Sequence, residues 1–136
     1  MTRFICCLIL VSMCFIQAGC NETEKEIEFI SISFPQGGTD LRVWKDGRAS
    51  LFYGALPQNE TIKNGTFNIK QLYDQIRPRL HPNLPREEWP DPKAKCGMVL
   101  VKIKGKEEES YLIYDEQEFT DALFDRARSN IVGKSP

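Results

Sequence analysis

The sequence has few of the residues that bind metals or pair as a catalytic nucleophile and base. It contains one histidine, His81, and Cys96 is the only one of its five cysteines beyond residue 20. One histidine and one cysteine fall short of the four ligands of a structural zinc site. The three glutamates at 107–109 are typical of a solvated turn. We therefore expect no metal and no other cofactor.

The sequence also lacks a cluster of basic residues and a phosphate-binding loop. Its 18 lysine and arginine residues are balanced by 19 aspartate and glutamate residues, and the two signs are mixed along the chain. Nucleic-acid binding usually requires a clustered basic surface, so we expect no nucleic-acid partner. Gly37-Gly38 is not followed by the lysine and hydroxyl residue of a P-loop.

No hydrophobic run is long enough for an ordinary transmembrane helix. The run Phe4–Ile16 has 13 residues, whereas a membrane span needs about 20. Arg3 precedes it and the small residues Ala18 and Gly19 follow it. That order of charge, apolar core and small residues is typical of a secretory signal peptide, which we expect at residues 1–19.

The segment ending at Cys20 resembles the lipobox of bacterial lipoproteins. Its residues are Ala18-Gly19-Cys20, with Gln17 where the family usually has an aliphatic residue. The resemblance implies cleavage before Cys20, lipidation of its thiol and anchoring in the bacterial cell envelope. Asn21, in place of the aspartate that marks inner-membrane retention, implies the outer membrane, facing the periplasm. Cleavage after Ala18 and a retained N-terminal anchor are the alternatives.

The chain that remains after residue 19 has the size of one domain. It has 117 residues, and loss of Arg3 leaves 17 basic and 19 acidic residues, a formal charge of −2. A chain of this length buries about two-thirds of its unfolded surface. We expect residues 20–26 to be a lipid-anchored tether and residues 27–136 to be a single α+β domain.

Cys96 is an unpaired thiol in a chain that we expect to be exported. We interpret it as a partly buried cysteine at the head of a strand. A disulfide with Cys20 is an alternative that requires Cys20 to escape lipidation. A reactive thiol, with its pKa lowered by Lys93 and Lys95, is a third interpretation.

Alternating apolar residues predict strands in two parts of the chain, residues 27–63 and residues 98–114. Ile27–Phe34 is one strand, and its apolar phase shifts at Phe29, which indicates a bulge or burial on both faces. Asp46-Gly47 predicts a two-residue type I′ hairpin between strands at 41–45 and 48–53. Further strands are expected at 60–63, 98–104 and 110–114.

Two helices are expected, joined to the strands by a stiff crossover. Asn68 begins the first helix, with Gln71 at the capping-box position, and Pro78 ends it. Residues 78–92 hold five of the eight prolines and form an extended crossover. Asp115 is expected to cap the second helix, which Gly133 terminates. Helical spacing predicts its buried stripe as Phe119, Ala122, Leu123, Arg126, Ala127 and Ile131.

These elements predict an α+β fold, an antiparallel β-sheet with two helices packed on one face. A hairpin followed by a helix occurs twice, at about 41–80 and 98–131, which would correspond to two ββα units.

Two exposed segments are candidate partner-binding sites. The crossover carries Arg79, Arg86 and Trp89, and the tip of the first hairpin carries Trp44 with Tyr53 nearby. Arginine and tryptophan on pre-ordered backbone are typical of protein-binding surfaces. We expect a small lipid-anchored envelope protein that acts as a non-enzymatic protein-binding module, like an inhibitor or immunity protein.

Three alternatives remain open from the sequence. The chain could be a structural or assembly-accessory envelope lipoprotein. It could be a small hydrolase in which Cys96 is the nucleophile, with His81 and Asp91 as its partners. Trp89 could pack into the core and leave the crossover without an exposed aromatic residue.

Overall fold

Seven β-strands and two α-helices make up the part of the chain that the computed structural model describes, residues 26–54, 58–89 and 91–133. The helices are α1 (Ile69–Ile76) and α2 (Gln117–Arg128). No helix within these ranges is long and apolar enough to cross a membrane. The strands are β1 (Ile27–Phe34), β2 (Thr39–Trp44), β3 (Ala49–Tyr53), β4 (Gln58–Ile62), β5 (Leu80–Pro82), β6 (Cys96–Ile103) and β7 (Glu109–Tyr114).

The strands form one sheet in the order β4-β3-β2-β1-β6-β7-β5. Every neighbouring pair is antiparallel, so the predicted α+β class with an antiparallel sheet is confirmed. β1 lies at the centre, between the hairpins β2–β3 and β6–β7. The connection through α1 carries the chain from β4 at one edge to β5 at the other.

The central strand β1 shows how the sheet divides into two faces. Ile30 and Ile32 are fully buried, and each lies between aliphatic residues of β2 and β6. Successive strand residues point to opposite sides, so these positions define an apolar core face. One buried cluster combines this face with residues of both helices: Ile30, Ile32, Leu41, Val43, Leu51, Val99 and Val101 from strands, and Leu72, Ile76, Leu123, Phe124 and Ala127 from helices.

The predicted hairpin at Asp46-Gly47 is confirmed, but its predicted turn type is wrong. The backbone N–H of Trp44 donates to the carbonyl of Arg48 over 2.9 Å, which closes a three-residue loop. Gly47 has a φ of +88°, and every residue with a positive φ in the described ranges is a glycine. Asp46 therefore lacks the positive φ that a type I′ turn requires at both central positions. A type I turn followed by a glycine bulge fits these angles. Asp46 instead accepts hydrogen bonds from the backbone and side chain of Arg48.

The cap of α1 is confirmed, and the crossover contains a strand that the sequence pattern does not reveal. The side chain of Asn68 accepts a 3.0 Å hydrogen bond from the backbone N–H of Gln71. α1 ends at Ile76, and Pro78 lies in the 3₁₀ turn that follows.

The next three residues, Leu80–Pro82, pair with β7 as an edge strand. Three residues are too few to show a period of two, and a proline is tolerated only at such an edge.

The predicted start of the second helix is wrong by one residue. Glu116 is the N-cap of α2 and makes no side-chain capping bond. The carbonyl of Glu116 accepts the hydrogen bond from the N–H of Thr120 at 2.9 Å, while the N–H of Asp115 still donates to the carbonyl of Lys95 and continues the pairing of β6 with β7. The buried stripe is correspondingly rotated. Ala122 and Arg126 are exposed, and the buried helical residues are Thr120, Leu123, Phe124 and Ala127.

Glu26, expected to be the last residue of the tether, belongs to the domain. Its backbone carbonyl accepts a 2.9 Å hydrogen bond from the N–H of Lys104. Its carboxylate forms ion pairs with Lys45 and Lys104. Hydrogen bonds to these two ammonium groups, with Lys45 contributing most, lower the pKa of Glu26.

Gly97 permits the closest approach on the core face. A Cβ at this position would lie 2.7 Å from the carbonyl oxygen of Ser33 and 2.8 Å from the ring of Phe34. The Phe34 ring in turn packs edge-on against Phe124, with 6.0 Å between centroids. The core therefore has no room for an added methyl group beside Gly97.

Gly97→Ala is expected to lower the free energy of unfolding by about 1–3 kcal/mol, the usual cost of overpacking. Urea denaturation of the purified domain measures it. Gly37→Ala is the control, because its methyl group would meet only the Thr39 hydroxyl, at 3.2 Å. Equal destabilisation by both substitutions would contradict this account of Gly97.

Candidate functional site

The face of the sheet opposite the core face, the outer face, carries a partly exposed apolar stripe. A register shift between Ile27 and Phe29 places a bulge in β1. Since a bulge adds one residue to a strand, it directs Phe29 outward while Ile30 enters the core. The stripe crosses β2, β1 and β6. We call it the outer-face stripe, and its residues are Trp44, Phe29, Leu100 and Met98.

The side chains of the stripe contact one another or lie on neighbouring strands. The rings of Phe29 and Trp44 pack with centroids 5.4 Å apart. Leu100 lies opposite Ser31 and therefore diagonal to Phe29. Met98 is 41% exposed, one of the most exposed large apolar side chains in the described ranges. The other three side chains are half-buried, and adjoining apolar groups that are partly exposed in this way are found at interaction surfaces.

A buried polar cluster borders the stripe and orients an arginine beside it. The hydroxyl of Ser31, which is 5% exposed, donates to Asp40 over 2.8 Å. The other carboxylate oxygen of Asp40 accepts a 2.8 Å hydrogen bond from Nε of Arg42. The Arg42 side chain remains 53% exposed, against 16% for Asp40. The cluster therefore presents a fixed guanidinium group to solvent.

Two further cations lie at the other side of the stripe. Lys102 is paired in register with Phe29. The guanidinium carbon of Arg48 lies 5.5 Å from the centre of the Trp44 ring, within range of a cation–π interaction. The stripe is thus an apolar surface bordered by Arg42, Lys102 and the exposed ion pair of Arg48 with Asp46.

The described residues of the later part of the crossover, 83–89 and 91–92, lie with residues 93–95 against the rest of the outer face. The amide of Asn83 donates to the hydroxyl of Ser110 at 2.7 Å. Leu112 and Cys96, whose positions alternate with core residues, are 7% and 4% exposed. Cover by the crossover explains why these outward-pointing side chains are buried while Met98 is not.

Arg86 and Trp89 form one unit within the crossover. The Trp89 indole donates to the carbonyl of Leu84 at 2.9 Å, and the Arg86 guanidinium carbon lies 5.7 Å from its ring centre. Nε of Arg86 donates to the carbonyl of Pro92. Trp89 is half-buried and is not among the residues of the core cluster. The alternative in which Trp89 packs into the core is therefore wrong.

The other two candidate residues lie apart from these. Arg79 stacks on Phe119 of α2 at 4.2 Å and pairs with Glu116 at 3.1 Å. Tyr53 is two residues after buried Leu51, so it lies on the same face of β3 and packs against the core cluster. The structure therefore brings Arg86 and Trp89 together but separates Arg79 and Tyr53 from Trp44.

Sequence reasoning missed Phe29, Met98 and Leu100 as surface residues. The apolar run from Met98 to Val101 is typical of a strand that is buried on both faces. The sequence therefore does not show that Met98 and Leu100 point away from the core. The phase shift at Phe29 was the one available indication, because the bulge that it predicted turns this side chain outward.

Cys96 lies in surroundings that disfavour a reactive thiolate. Burial raises the pKa of the Cys96 thiol, Asp91 raises it further, and Arg86 acts in the opposite direction. The third interpretation, a reactive thiol with its pKa lowered by Lys93 and Lys95, is therefore wrong, and the interpretation of Cys96 as a buried cysteine at the head of a strand is confirmed. His81 packs against the Tyr114 ring at 4.7 Å, and no hydrogen bond joins it to Cys96 in the described part of the chain.

The native thiol of Cys96 is expected to react slowly with iodoacetamide at neutral pH, because the residue is only 4% exposed and protonation is favoured. Mass spectrometry of the modified protein follows the reaction. In denaturant the rate should rise to that of an ordinary cysteine. Modification of the native protein as fast as the denatured one would show an accessible thiolate.

The strongest feature of the molecule is therefore a partly exposed apolar stripe, next to a buried cysteine that the crossover covers. Among the described residues no group of three or more His, Cys, Asp or Glu side chains is placed to hold a metal ion. No family model matches the chain, no curated protein is detectably similar to it, and no solved structure matches it.

Proposed function

We propose that this protein is a lipid-anchored envelope protein that binds a partner protein, without catalysis, through the outer-face stripe. The observation that carries the proposal is the adjoining set of Trp44, Phe29, Leu100 and Met98 on the outer face, in which Met98 is 41% exposed and the other three are half-buried. Tryptophan and arginine surrounded by apolar side chains are the residues that most often dominate binding energy at protein interfaces.

The proposal includes a layer arrangement in which both helices cover the core face. Leu72 and Ile76 of α1 share one cluster with Leu123 and Phe124 of α2 and with the core-face strand residues. Helices on that side leave the outer face to the crossover and to solvent. The two proposed ββα units differ, because β4 separates the first hairpin from α1 whereas α2 follows β7 directly.

The charges around the stripe specify the chemistry of the partner. Arg42 and Lys102 border it, and the carboxylate of Asp40, which pairs with Arg42, is mostly covered, whereas Arg48 is neutralised by the exposed Asp46. An apolar patch flanked by carboxylates is complementary to this surface. Such complementarity raises the association rate and should make it fall with added salt. Binding there would act by occlusion if the partner is an enzyme or toxin, in the manner of an inhibitor or immunity protein.

The anchor is the second component of the proposal, and Cys20 lies outside the described residues. Its support is the resemblance of Ala18-Gly19-Cys20 to a lipobox. Two acyl chains on one residue give firm membrane attachment. Intact mass of the protein from a membrane fraction tests this directly. A diacylglyceryl group on a chain that begins at Cys20 is the expected result, and a chain that retains residues 1–19 or carries no lipid would contradict it.

Surface and anchor variants distinguish a binding module from an accessory lipoprotein. If the anchor alone matters, Cys20→Ser should abolish function and changes in the stripe should not. In our proposal a stripe variant loses function while it is still lipidated. Equal partner binding by wild type and stripe variants would favour the accessory role.

Site-specific photo-crosslinking identifies the partner and its binding face together. A photoreactive phenylalanine analogue is placed at Met98, on the stripe, or at Asp125, on the exposed side of α2. The expected result is one protein crosslinked from position 98 and absent from position 125, whose purified form binds the purified domain. The same crosslink from both positions, or from position 125 alone, would contradict the assignment of the stripe.

A further inference from the structure

A groove between the two helices is separate from the outer-face stripe. We call it the helix groove. The residues that define it are Phe119, Leu123 and Arg126 of α2, with Phe67, Gln75 and Arg79 from the chain around α1. Its volume of about 380 Å³ lies within the range of small-molecule sites, which extends from about 300 to 1,000 Å³.

The floor of the helix groove is apolar. Phe67 and Leu123 are 4% and 6% exposed and belong to the core cluster, while Phe119 is partly buried and packs against that cluster. Small-molecule sites are usually lined in this way, with a few polar groups that fix the orientation of the ligand. The floor therefore favours a ligand with an apolar body, and the polar residues specify the rest of its chemistry.

Two guanidinium groups are held over the aromatic rings of the groove. The guanidinium carbon of Arg79 lies 4.2 Å from the centre of the Phe119 ring, and that of Arg126 lies 5.2 Å from the centre of the Phe67 ring. Both distances are within the range of a cation–π interaction. Arg79 is fixed further, since its Nη1 donates to the carbonyl of Gln75 at 2.7 Å. Side chains that are already stacked lose less rotamer freedom when they bind an anion.

The charges of the helix groove are unbalanced. Among the described residues that line it, Arg79 and Arg126 are the charged ones, and none carries a carboxylate. Glu116, outside the groove, pairs with Nε of Arg79 at 3.1 Å and compensates its charge. Arg126 is exposed, and within the described ranges its guanidinium group has no carboxylate partner. One accessible positive charge therefore remains at the edge of an apolar floor.

We propose that the helix groove binds a small monocarboxylate with an apolar body of the size of an aromatic ring. The carboxylate accepts a pair of hydrogen bonds from Arg126, the arrangement in which guanidinium groups bind carboxylates most strongly. The apolar body lies against Phe119 and Leu123. None of these residues belongs to the outer-face stripe, so failure of either proposal leaves the other standing.

Three probes separate the contribution of the charge from that of the apolar body: 3-phenylpropionate, 3-phenylpropylamine and acetate. Each is titrated into the ¹⁵N-labelled protein, and the amide shifts of residues 67–79 and 119–126 are followed. 3-Phenylpropionate should bind saturably and about tenfold or more tightly than either control, a difference of about 1.4 kcal/mol. No saturable shifts of these residues with 3-phenylpropionate, or equal binding by either control, would overturn the proposal.

Arg126→Gln tests the uncompensated charge. It should weaken the binding of 3-phenylpropionate about tenfold or more, because a glutamine amide lacks the charge and the paired donors of a guanidinium group. Arg128→Gln is the matched control, since it removes the same charge from α2, but Arg128 is paired with Asp125 and does not line the groove. Its affinity should equal that of the wild type. Equal losses in both variants, or unchanged affinity in Arg126→Gln, would overturn the proposal.

Gln75→Glu tests the groove with a side chain of nearly the same shape. Gln75 is exposed on α1, so the variant should fold, and its new carboxylate would compete with the ligand for the two arginines. It should weaken the binding of 3-phenylpropionate and strengthen that of 3-phenylpropylamine. Gln71→Glu adds the same charge one turn earlier, outside the groove, and should change neither affinity. Unchanged affinities in Gln75→Glu, or equal changes in both variants, would contradict the assignment of the groove.

Discussion

Trp44→Ala is expected to weaken partner binding by about 30-fold or more, while the domain stays folded. Loss of a tryptophan at the centre of an interface costs about 2 kcal/mol or more, which corresponds to that factor in Kd. Trp44 has the largest side chain of the stripe and packs on Phe29 at 5.4 Å. Arg48 is stacked on its ring, so the substitution also releases a cation from the border of the stripe.

Calorimetric titration with the partner identified by crosslinking measures this loss. Trp89→Ala is the matched control, because it removes the same side chain from the crossover, the other candidate surface. Its effect on Kd should be much smaller than that of Trp44→Ala. The reverse order would assign binding to the crossover, and equal large effects would show that both segments contact the partner.

The second large effect concerns the stability of the two faces of the sheet. Ile32→Ala should lower the free energy of unfolding by about 2–5 kcal/mol, since it leaves a cavity at a fully buried position. Leu100→Ala on the neighbouring strand, with its half-buried side chain on the outer face, should cost about 1 kcal/mol or less. The total stability of such a domain is about 5–15 kcal/mol, so the first change is severe.

Urea denaturation of both variants provides this comparison. The midpoint concentration should fall sharply for Ile32→Ala and slightly for Leu100→Ala, with similar slopes for the two. Equal losses of stability would mean that the outer face is covered as fully as the core face. That result would remove the physical basis of the binding proposal.

Local chemistry made part of this fold predictable from the sequence. Asp46-Gly47 between alternating strands predicted the first hairpin, and the Asn68 side chain with Gln71 three residues later predicted the start of α1. These signals act within a few residues. The turn type was wrong because the tip is also held from outside, where the N–H of Gly65 donates to the carbonyl of Gly47.

The features that the sequence could not reveal depend on contacts between distant segments. The central place of β1 follows from its pairing with β6, about seventy residues further along the chain. The pairing of Asp115 with Lys95 extends the sheet by one residue, and α2 begins only after it, at the N-cap Glu116. β5 forms because Leu80–Pro82 pair with the edge of β7, about thirty residues further along the chain.

The same non-local contacts conceal the candidate site. Met98 and Leu100 lie in a run of apolar residues that looks uniformly buried, and only the sheet shows which of them point outward. Cys96 and Leu112 have outward positions too, but the crossover covers them. Exposure of the stripe is thus a property of the assembled domain rather than of any short segment.

Binding of the purified partner to Met98→Glu and Ala122→Glu tests the central claim most directly. Both positions are exposed, the first on the outer-face stripe and the second on α2, and both variants gain the same charge. A glutamate on the stripe would face the carboxylates of the partner, so Met98→Glu should abolish measurable binding while Ala122→Glu keeps the wild-type Kd. Wild-type affinity in Met98→Glu, or loss of binding in Ala122→Glu alone, would contradict the account.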